Sequence, residues 1–239
     1  MLMNNINLFL AVQPTFFEVC KELSVSLLET IGMITISCFF AYLIGLPLGI
    51  LLNVTSKKGI KPCKWVNFIL SLFVNILRSI PCLIVVVLTM PAVRAVFGIG
   101  TGEWYTIIIP LTATSFGFIA RMVEQSLSEV DKGKVEAVES LGGTKLQIIF
   151  KVLLPEARSS LIGGLAVTLV SIIGYTSFAY NISAGGIISY IWRFYSQNTG
   201  DFLEQPIFWV MIVVVILLVQ VIQEVGLLIS KKLDKRRIN

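Results

Sequence analysis

The chain has 239 residues, of which 56% are hydrophobic and only 14% are charged, and its formal net charge is +5. Because average soluble domains carry roughly 25% charged residues, this composition excludes an ordinary soluble domain and predicts a polytopic membrane protein. The sequence has no histidine and no GxxxxGK(S/T) motif, which excludes a Ser-His-Asp hydrolase and a P-loop ATPase. Its four cysteines are widely spaced without a CxxC pair, so neither a zinc site nor a thiol-redox site is expected.

Apolar runs at five places predict membrane-spanning helices, each of which needs about 20 residues. The runs lie at about residues 30–56, 65–90, 104–120, 162–179 and 206–223. Residues 1–26 are predicted to be an extracytoplasmic N-terminal lead-in, for which an interfacial helix is one interpretation. Residues 27–224 are predicted to be the transmembrane domain, and residues 225–239 a basic cytoplasmic tail. Residues 91–102, with Pro91 and several glycines, are expected to form a loop. Residues 181–192 are expected to be a re-entrant or interfacial piece.

The first run contains the sequence GLPLG at residues 45–49. Small residues four positions apart let two helices approach closely, so we expect Gly45 and Gly49 to serve plain helix packing. Pro47 between them can kink the helix.

Segments rich in lysine and arginine alternate along the chain with segments that contain few of them. Four lie in residues 57–64, six in residues 121–158 and five in residues 231–237, against Lys21, Arg94 and Arg193 in the alternate segments. Since loops rich in lysine and arginine stay in the cytoplasm, we predict an outside N-terminus and an inside C-terminus in a bacterial cytoplasmic membrane. Basic residues placed in this way favour the lipid bilayer, and not nucleic acid, as the partner.

Arg78 is the only charged residue deep within a predicted span. An arginine at a helix centre costs about 2.5–3.5 kcal/mol on insertion scales, so it needs a polar partner or a water-filled cavity. Pro81 frees a backbone carbonyl and can bend the helix, and Ser79 adds a hydroxyl. This segment is therefore a candidate lining of a polar path. The alternatives are that Arg78 snorkels to the membrane surface or ties helices together.

The fourth span is dense in small and polar residues for a helix that would face lipid. Its candidate path residues are Ser171, Tyr175, Ser177 and Asn181. Serine and threonine hydroxyls at helical spacing often bond only to their own helix, and that interpretation stays open for this group.

The longest charged interval contains residues 136–157, EAVESLGGTKLQIIFKVLLPEA. Gly142 and Gly143 permit positive φ, so a helix can stop and turn there. Thr144 can cap the next helix, and Pro155 limits how that helix continues. The pattern predicts two short helices, which would form either a docking element or a solvated hairpin between spans.

The spacing of this segment resembles the cytoplasmic EAA loop of ABC importer permeases. The residues that carry the likeness are Glu136, Ala137, Val138, Gly142, Gly143, Leu154 and Pro155. Other stretches resemble the permease subunits of methionine-type ABC importers, and the likeness extends over about residues 27–224. They are ETIGMITIS at 29–37, GLPLGILL at 45–52, RSIP at 78–81, IPLT at 109–112, FIARMVE at 118–124 and KVLLPEA at 151–157. AGG at residues 184–186 matches a Gly-rich stretch of that family, whereas the preceding SFAYNIS departs from its usual smaller residues.

The resemblance implies the all-α fold of type I ABC importer permeases, with five spans and a homodimer. Two copies of an ATPase subunit would dock on the EAA loop, and an extracytoplasmic binding (lipo)protein would deliver the amino acid. ATP and Mg²⁺ would be held by the ATPase, with no cofactor bound by this chain. The implied function is import of methionine, as the D- or L-form, or of a closely related amino acid. Another amino acid or small organic solute is the alternative.

Two other functional classes fit the sequence less well. A membrane-embedded enzyme needs acid–base groups deep within its spans, where this chain has only Arg78. A channel needs no ATPase dock. We therefore expect a transport subunit and not an enzyme.

Overall fold

A computed structural model describes residues 16–197, 203 and 205–233. Over these residues the chain is all-α, as predicted. The helices are α1 (Phe16–Thr55), α2 (Lys64–Ser79), α3 (Cys82–Phe97), α4 (Ile108–Ser128), α5 (Lys132–Ser140), α6 (Lys145–Ile148), α7 (Leu154–Tyr175), α8 (Ile187–Gln197) and α9 (Pro206–Leu233). Trp104–Ile107 and Thr176–Ile182 form 3-10 turns, and Ile149–Leu153 forms a π turn.

Four helical stretches are long and apolar enough to cross a membrane. They are Glu18–Thr55, Trp104–Ser128, Lys145–Ile182 and Pro206–Leu233. The bent pair α2 and α3 makes a fifth if it counts as one span. The five predicted spans therefore correspond to α1, α2 with α3, α4, α7 and α9.

The second predicted span is not one continuous helix, because α2 and α3 meet at an angle of 104°. Pro81 explains the break, since it has no N–H and disfavours helical backbone at the preceding residue. Ile80 is accordingly extended, with φ −79° and ψ 122°. The loop predicted to begin at Pro91 is wrong, because α3 runs through this proline to Phe97. Val93 on its last turns is fully buried, so tertiary packing holds this helical segment in place.

The helix that contains the first predicted span begins before the apolar run. α1 starts at Phe16, so the described part of the lead-in belongs to the same helix and is not a separate interfacial segment. Val19 and Leu23 are buried against Ile187 and Met211, which supports the helix at this end. α1 and α9 run across the predicted boundaries after residues 26 and 224, which remain predictions. Residues 1–15 and 234–239 lie outside the described residues.

Glycines let α1 and α4 approach closely. A Cβ added to Gly45 would lie 2.7 Å from Ile119 Cγ2, and one added to Gly49 would lie 2.5 Å from Val123 Cβ. Both distances are shorter than real carbon contacts, so the close packing expected of the GLPLG sequence is confirmed.

Two of the apolar clusters lie towards opposite ends of the helical bundle. The hairpin-end cluster, beside α5 and α6, contains Ala41, Ile119, Val123, Leu127, Val130, Ile148, Leu153 and Ala157. The far-end cluster contains Met33, Ile34, Cys38, Cys82, Val86, Ile107, Leu111, Ile172, Ile173, Ala179, Ile182 and Ala184. Outside these clusters, α2, α3 and α9 expose many large apolar side chains, as surfaces that meet lipid or another subunit do.

Candidate coupling site and transport path

The EAA segment folds as a helical hairpin, formed by α5, the turn 141–144 and α6. Gly142 at the turn has φ +79°. Its N–H donates to the Glu139 carbonyl and the Gly143 N–H donates to the Val138 carbonyl, both at 2.9 Å. Helices commonly end at a glycine in the left-handed conformation, where N–H groups of the turn donate to carbonyls of the last helical turn. The predicted turn is therefore confirmed.

The two glycines of the turn are required for different reasons. An added Cβ at Gly142 would meet no atom within 4 Å, so only its backbone conformation requires glycine. An added Cβ at Gly143 would lie 2.5 Å from Val138 Cγ1 and 2.8 Å from the Val138 carbonyl oxygen. Gly143 is thus needed for close approach of the two arms.

Thr144 caps α6, as predicted. Its Oγ1 accepts from the Gln147 N–H at 3.3 Å, and Gln147 Oε1 accepts from the Thr144 N–H at 2.8 Å. This reciprocal pair is a capping box, which satisfies two backbone donors at a helix start.

Pro155 does not end the second arm, which continues into α7 through the π turn at Ile149–Leu153. Pro155 cannot donate to a carbonyl four residues earlier. In the π turn the Leu154 N–H donates to Ile149, five residues back. This wider ladder directly before Pro155 shows how the helix accommodates the proline.

The hairpin presents one apolar face to the bundle and another to its surroundings. Ile148 is fully buried in the hairpin-end cluster, and Val138 packs against the same cluster. Leu141, Leu146 and Phe150 are 86%, 67% and 63% exposed. Leu141 in the turn, Leu146 on α6 and Phe150 in the π turn that follows thus form an exposed apolar patch on and beside the hairpin. The sequence prediction missed them, because apolar residues occur on both faces of these short helices and only the packing decides which face the bundle covers.

The remaining predicted residues of the loop lie around this surface. Glu136 and Ala137 are exposed on α5, and Leu154 packs beside the hairpin-end cluster. Glu156, next to Pro155, accepts a hydrogen bond from Lys134 Nζ at 2.6 Å and so ties α5 to the start of α7. Lys145 Nζ donates to the Ile60 carbonyl at 3.2 Å, which ties α6 to the loop between α1 and α2.

Arg78 lines a polar cleft of about 710 Å³ at the hairpin end of the bundle. We call it the hairpin-end cleft. Its polar and charged lining consists of Asn53, Ser56, Lys57, Lys58, Asn67, Arg78, Arg121, Glu124, Gln125 and Ser128. Arg78 is exposed, and its aliphatic part packs beside Gly117, where an added Cβ would lie 3.5 Å from Arg78 Cγ. Ser79 Oγ donates to the Asn75 carbonyl, and Pro81 is the N-cap residue directly before α3.

A network beside Arg78 links α2 to α4. Arg121 Nη1 donates to Glu124 Oε2 at 2.6 Å, and its Nη2 donates to Asn75 Oδ1 at 2.9 Å. Asn67 Nδ2 extends the polar contacts to α1 by donating to the Leu52 carbonyl at 2.9 Å. The sequence prediction missed these residues, although Arg121 and Glu124 three positions apart on a helix were a visible pair.

The candidate path residues of the fourth span do not join Arg78 in this cleft. Ser171 Oγ donates to Val167 O at 2.9 Å and Ser177 Oγ donates to Gly174 O at 2.7 Å, while Asn181 Nδ2 lies 3.4 Å from Phe178 O. Tyr175 packs beside the far-end cluster. The hydroxyls are thus satisfied within their own helical segment, which was the alternative interpretation for them.

A second cleft of about 600 Å³ opens at the far end, between the start of α1, the 100–104 region and α8. We call it the far-end cleft. Glu18, Lys21, Glu22, Glu29, Glu103 and Arg193 are its charged lining residues. Burial, and after it the Glu22 carboxylate, raise the pKa of Tyr190 on α8 above its ordinary value.

The family model for the binding-protein-dependent transport system inner membrane component matches residues 45–235 of this chain. The chain belongs to this family. The match includes the helices that carry the hairpin and the hairpin-end cleft. A member of the binding-protein-dependent transport family is a multi-pass inner-membrane protein, in agreement with the apolar helices.

Curated relatives of this family member cover nearly all of it. A probable D-methionine transport system permease protein MetI of Vibrio cholerae is 36% identical over 208 residues, covering 87% of this chain and 90% of its own length. The corresponding Pasteurella multocida protein is 32% identical over 219 residues, covering 92% of this chain and 99% of its own length.

Solved structures show the same architecture. A chain described as an inward-facing conformation of the MetNI methionine ABC transporter matches with a TM-score of 0.83 and 33% identity, covering 94% of this chain and all of that chain. A chain of an amino acid ABC transporter matches with a TM-score of 0.72 at 15% identity, covering 89% of this chain and 94% of that chain, which supports the fold alone. The predicted type I ABC importer permease fold is confirmed.

Proposed function

We propose that this chain is the permease subunit of an ABC importer that moves methionine, or a closely related amino acid, into the cell. The observation that carries this proposal is the ordered hairpin of α5 and α6 at one end of a chain whose relatives are D-methionine transport permeases. The chain supplies transport, and ATP hydrolysis with its Mg²⁺ belongs to a separate subunit.

The hairpin is the proposed dock for that ATPase subunit. Leu141, Leu146 and Phe150 offer an apolar surface, and Glu136 and Glu139 on α5 are exposed beside it. An apolar centre with a charged rim is the usual composition of a protein interface. In a homodimer of permeases, two hairpins would meet two ATPase copies.

The hairpin end is the proposed cytoplasmic end of the bundle. Lys57, Lys58 and Lys145 lie there, and α9 ends there at Leu233, whose carbonyl accepts from Arg158 Nε at 3.3 Å. This density of basic residues supports an inside C-terminus and an outside N-terminus. An extracytoplasmic binding protein would then meet the far end.

The proposed path runs along the bend between α2 and α3. Arg78, Ser79 and Pro81 lie at this bend, and Arg78 reaches the polar hairpin-end cleft. The polar residues of α7 (Ser171 and Tyr175) and of the 3-10 turn that follows it (Ser177 and Asn181) are proposed to meet the path from a second side in the dimer. Transport would alternate access between the two ends as ATPase closure moves the two permeases.

Uptake by the purified complex tests the function. The chain is co-expressed with the ATPase and binding protein of its genetic neighbourhood, and proteoliposomes are loaded with ATP and given radiolabelled methionine. We expect ATP-dependent uptake of methionine, with competition by the D- and L-forms measured separately. Absence of uptake by a complex that hydrolyses ATP would reject methionine as the substrate.

Another small substrate remains a second candidate because of one observation. The segment 177–183, which departs from the smaller residues usual in the resembled family, places Tyr180 and Ser183 in the lining of the far-end cleft. A panel of unlabelled amino acids as competitors distinguishes the two candidates.

Thiol labelling tests the orientation. Cysteines introduced at positions 61 and 94, after replacement of Cys20 and Cys63, should react from the cytoplasmic side and from the outside, respectively. The reverse pattern would reject both the orientation and the dock.

A further inference from the structure

The turn between the 3-10 segment Thr176–Ile182 and α8 has an unusual backbone. Ser183, Gly185 and Gly186 have φ values of 52°, 73° and 83°. The first N–H groups of α8 have no acceptor within their own helix, as at any helix start. The turn therefore needs partners from elsewhere in the molecule.

Two neighbouring side chains of α1 supply these partners. The Gly186 N–H donates to Glu29 Oε2 at 2.8 Å, and the Ile187 N–H donates to Thr30 Oγ1 at 2.8 Å. Thr30 is fully buried, and its own hydroxyl proton goes to the Ser26 carbonyl at 2.8 Å. The threonine oxygen is thus oriented as an acceptor for α8. A carboxylate at a helix N-terminus is also favoured by the helix dipole.

The glycines of the turn leave room for these side chains. An added Cβ at Gly185 would lie 2.5 Å from Glu29 Oε2, and one at Gly186 would lie 3.1 Å from Thr30 Oγ1. Glycine is therefore required here both for positive φ and for the approach of α1. We call the two hydrogen bonds from Gly186 and Ile187 to α1 the far-end latch.

The latch lies between two apolar clusters, because Ile187 itself packs with Val19 and Leu23 at the start of α1. Ala179, Ile182 and Ala184, which lead into the turn, pack in the far-end cluster with Met33 and Ile34 of α1. On the other side the Gly102 N–H donates to the Ile182 carbonyl at 3.0 Å. Any opening between α1 and the end of α7 must break the latch or carry α8 with it.

We propose that Glu29 and Thr30 are positioning residues whose hydrogen bonds to Gly186 and Ile187 hold the far end closed and are released when the transporter opens outward. This inference rests on the alternating-access transport proposed above. The latch would then contribute to the free-energy difference between the state with the far end closed and the state with the far end open. A ligand or partner that opens the far end must overcome that contribution.

Two native cysteines report on the opening. Cys38 and Cys82 are buried in the far-end cluster, at 4% and 9% exposure, whereas Cys20 and Cys63 are partly exposed. In a background with Cys20→Ser and Cys63→Ser, the reaction rate of the remaining thiols with a membrane-impermeant methanethiosulfonate cation measures how often the far end opens. The assay uses the complete complex in oriented proteoliposomes.

Thr30→Val removes the acceptor for Ile187 while keeping the side-chain shape. Because a hydrogen bond contributes about 1 kcal/mol net, we expect an approximately fivefold faster reaction. Glu29→Ala should act similarly, whereas Glu29→Gln keeps an acceptor oxygen and should stay near the background rate. Thr168→Val is the matched control, since Thr168 is equally buried and bonds only to Gly164 of its own helix.

A trapped state separates a latch from a general structural defect. When the complex is held outward-open by a non-hydrolysable nucleotide, the latch is already released, so Thr30→Val and background should react equally fast. A persisting difference, or Thr30→Val and Glu29→Ala rates equal to that of Thr168→Val at rest, would overturn the proposal.

Hydrogen exchange in the unmodified complex tests the latch without any substitution, and so applies even if the variants fail to assemble. The amides of Gly186 and Ile187 should exchange slowly at rest and faster in the trapped state. Equal exchange in both states would overturn the proposal. Thiol reaction solely from the hairpin-end side would also overturn the proposal, because opening of the far end would then not be what exposes Cys38 and Cys82.

Discussion

Gly142 turns the hairpin with a backbone angle that other residues rarely adopt, at φ +79°. An added Cβ would meet no atom of the chain within 4 Å, so steric clash inside the permease does not enter the effect of a substitution. What remains is the backbone cost, which is about 1–2 kcal/mol for an L-residue in the left-handed region. For a β-branched residue this conformation is a genuine outlier.

A cost of this size lowers the equilibrium ratio of correctly folded to misfolded hairpins by a factor of about 5–30. Gly142→Val should therefore reduce coupled uptake, by at most about 30-fold from this backbone cost, while the permease stays inserted. Gly142→Asn is the control, because asparagine tolerates the left-handed region and should lose much less activity. Gly142→Asp adds a negative charge at the proposed dock, and we expect it to abolish transport and stimulated ATP hydrolysis.

The assay combines uptake in proteoliposomes, ATPase rate and co-purification of the ATPase, normalised to the amount of permease. Comparison of the asparagine and aspartate variants isolates the charge, and comparison of the asparagine and valine variants isolates the backbone. If Gly142→Val transports at the wild-type rate with the ATPase bound, the turn is not needed for coupling and the assignment of the hairpin fails.

Three further predictions concern other sites. Gly49→Ala should lower the melting temperature of the purified protein, because its Cβ would lie 2.5 Å from Val123 of α4 and overpacking costs about 1–3 kcal/mol. Gly117→Ala, whose nearest contacts would be at 3.5 Å, is the matched control. Equal melting temperatures of the two variants would contradict the packing argument. Thr144→Ala should weaken the start of α6 by about 0.5–2 kcal/mol, seen as faster amide exchange in residues 145–150, whereas Thr144→Ser should not. Arg78→Ala should impair uptake by an assembled complex and Arg78→Lys less so; normal uptake by the alanine variant would favour snorkelling.

The local features of this chain were predictable from its sequence. Spans follow from the length of uncharged runs, because a helix in lipid satisfies its backbone internally and needs only apolar side chains. The hairpin turn and its cap were also predictable, because the residues that form them act only on nearby backbone groups. Gly142, Gly143 and Thr144 act on hydrogen bonds within five residues of themselves, so their chemistry is readable from spacing.

Prolines show where such local reasoning reaches its limit. At Pro81 the chain bends by 104° between α2 and α3. In contrast, α3 continues through Pro91, and Pro155 is accommodated by a π turn. The three residues have the same local preference. Their outcomes differ although a buried side chain lies beside each of them (Cys82, Val93 and Leu153), so neither the local preference of proline nor the burial of a neighbour decides by itself where the helix breaks.

The contacts between distant segments were decided only by the tertiary structure. Arg121 meets Asn75 across 46 residues of chain, and Glu29 meets Gly186 across 157. The exposed face of Leu141 and Leu146 likewise depends on which side of the hairpin the bundle covers. Such pairs carry no fixed spacing, because which polar atoms meet is set by how the helices pack and not by the order of residues within any one of them.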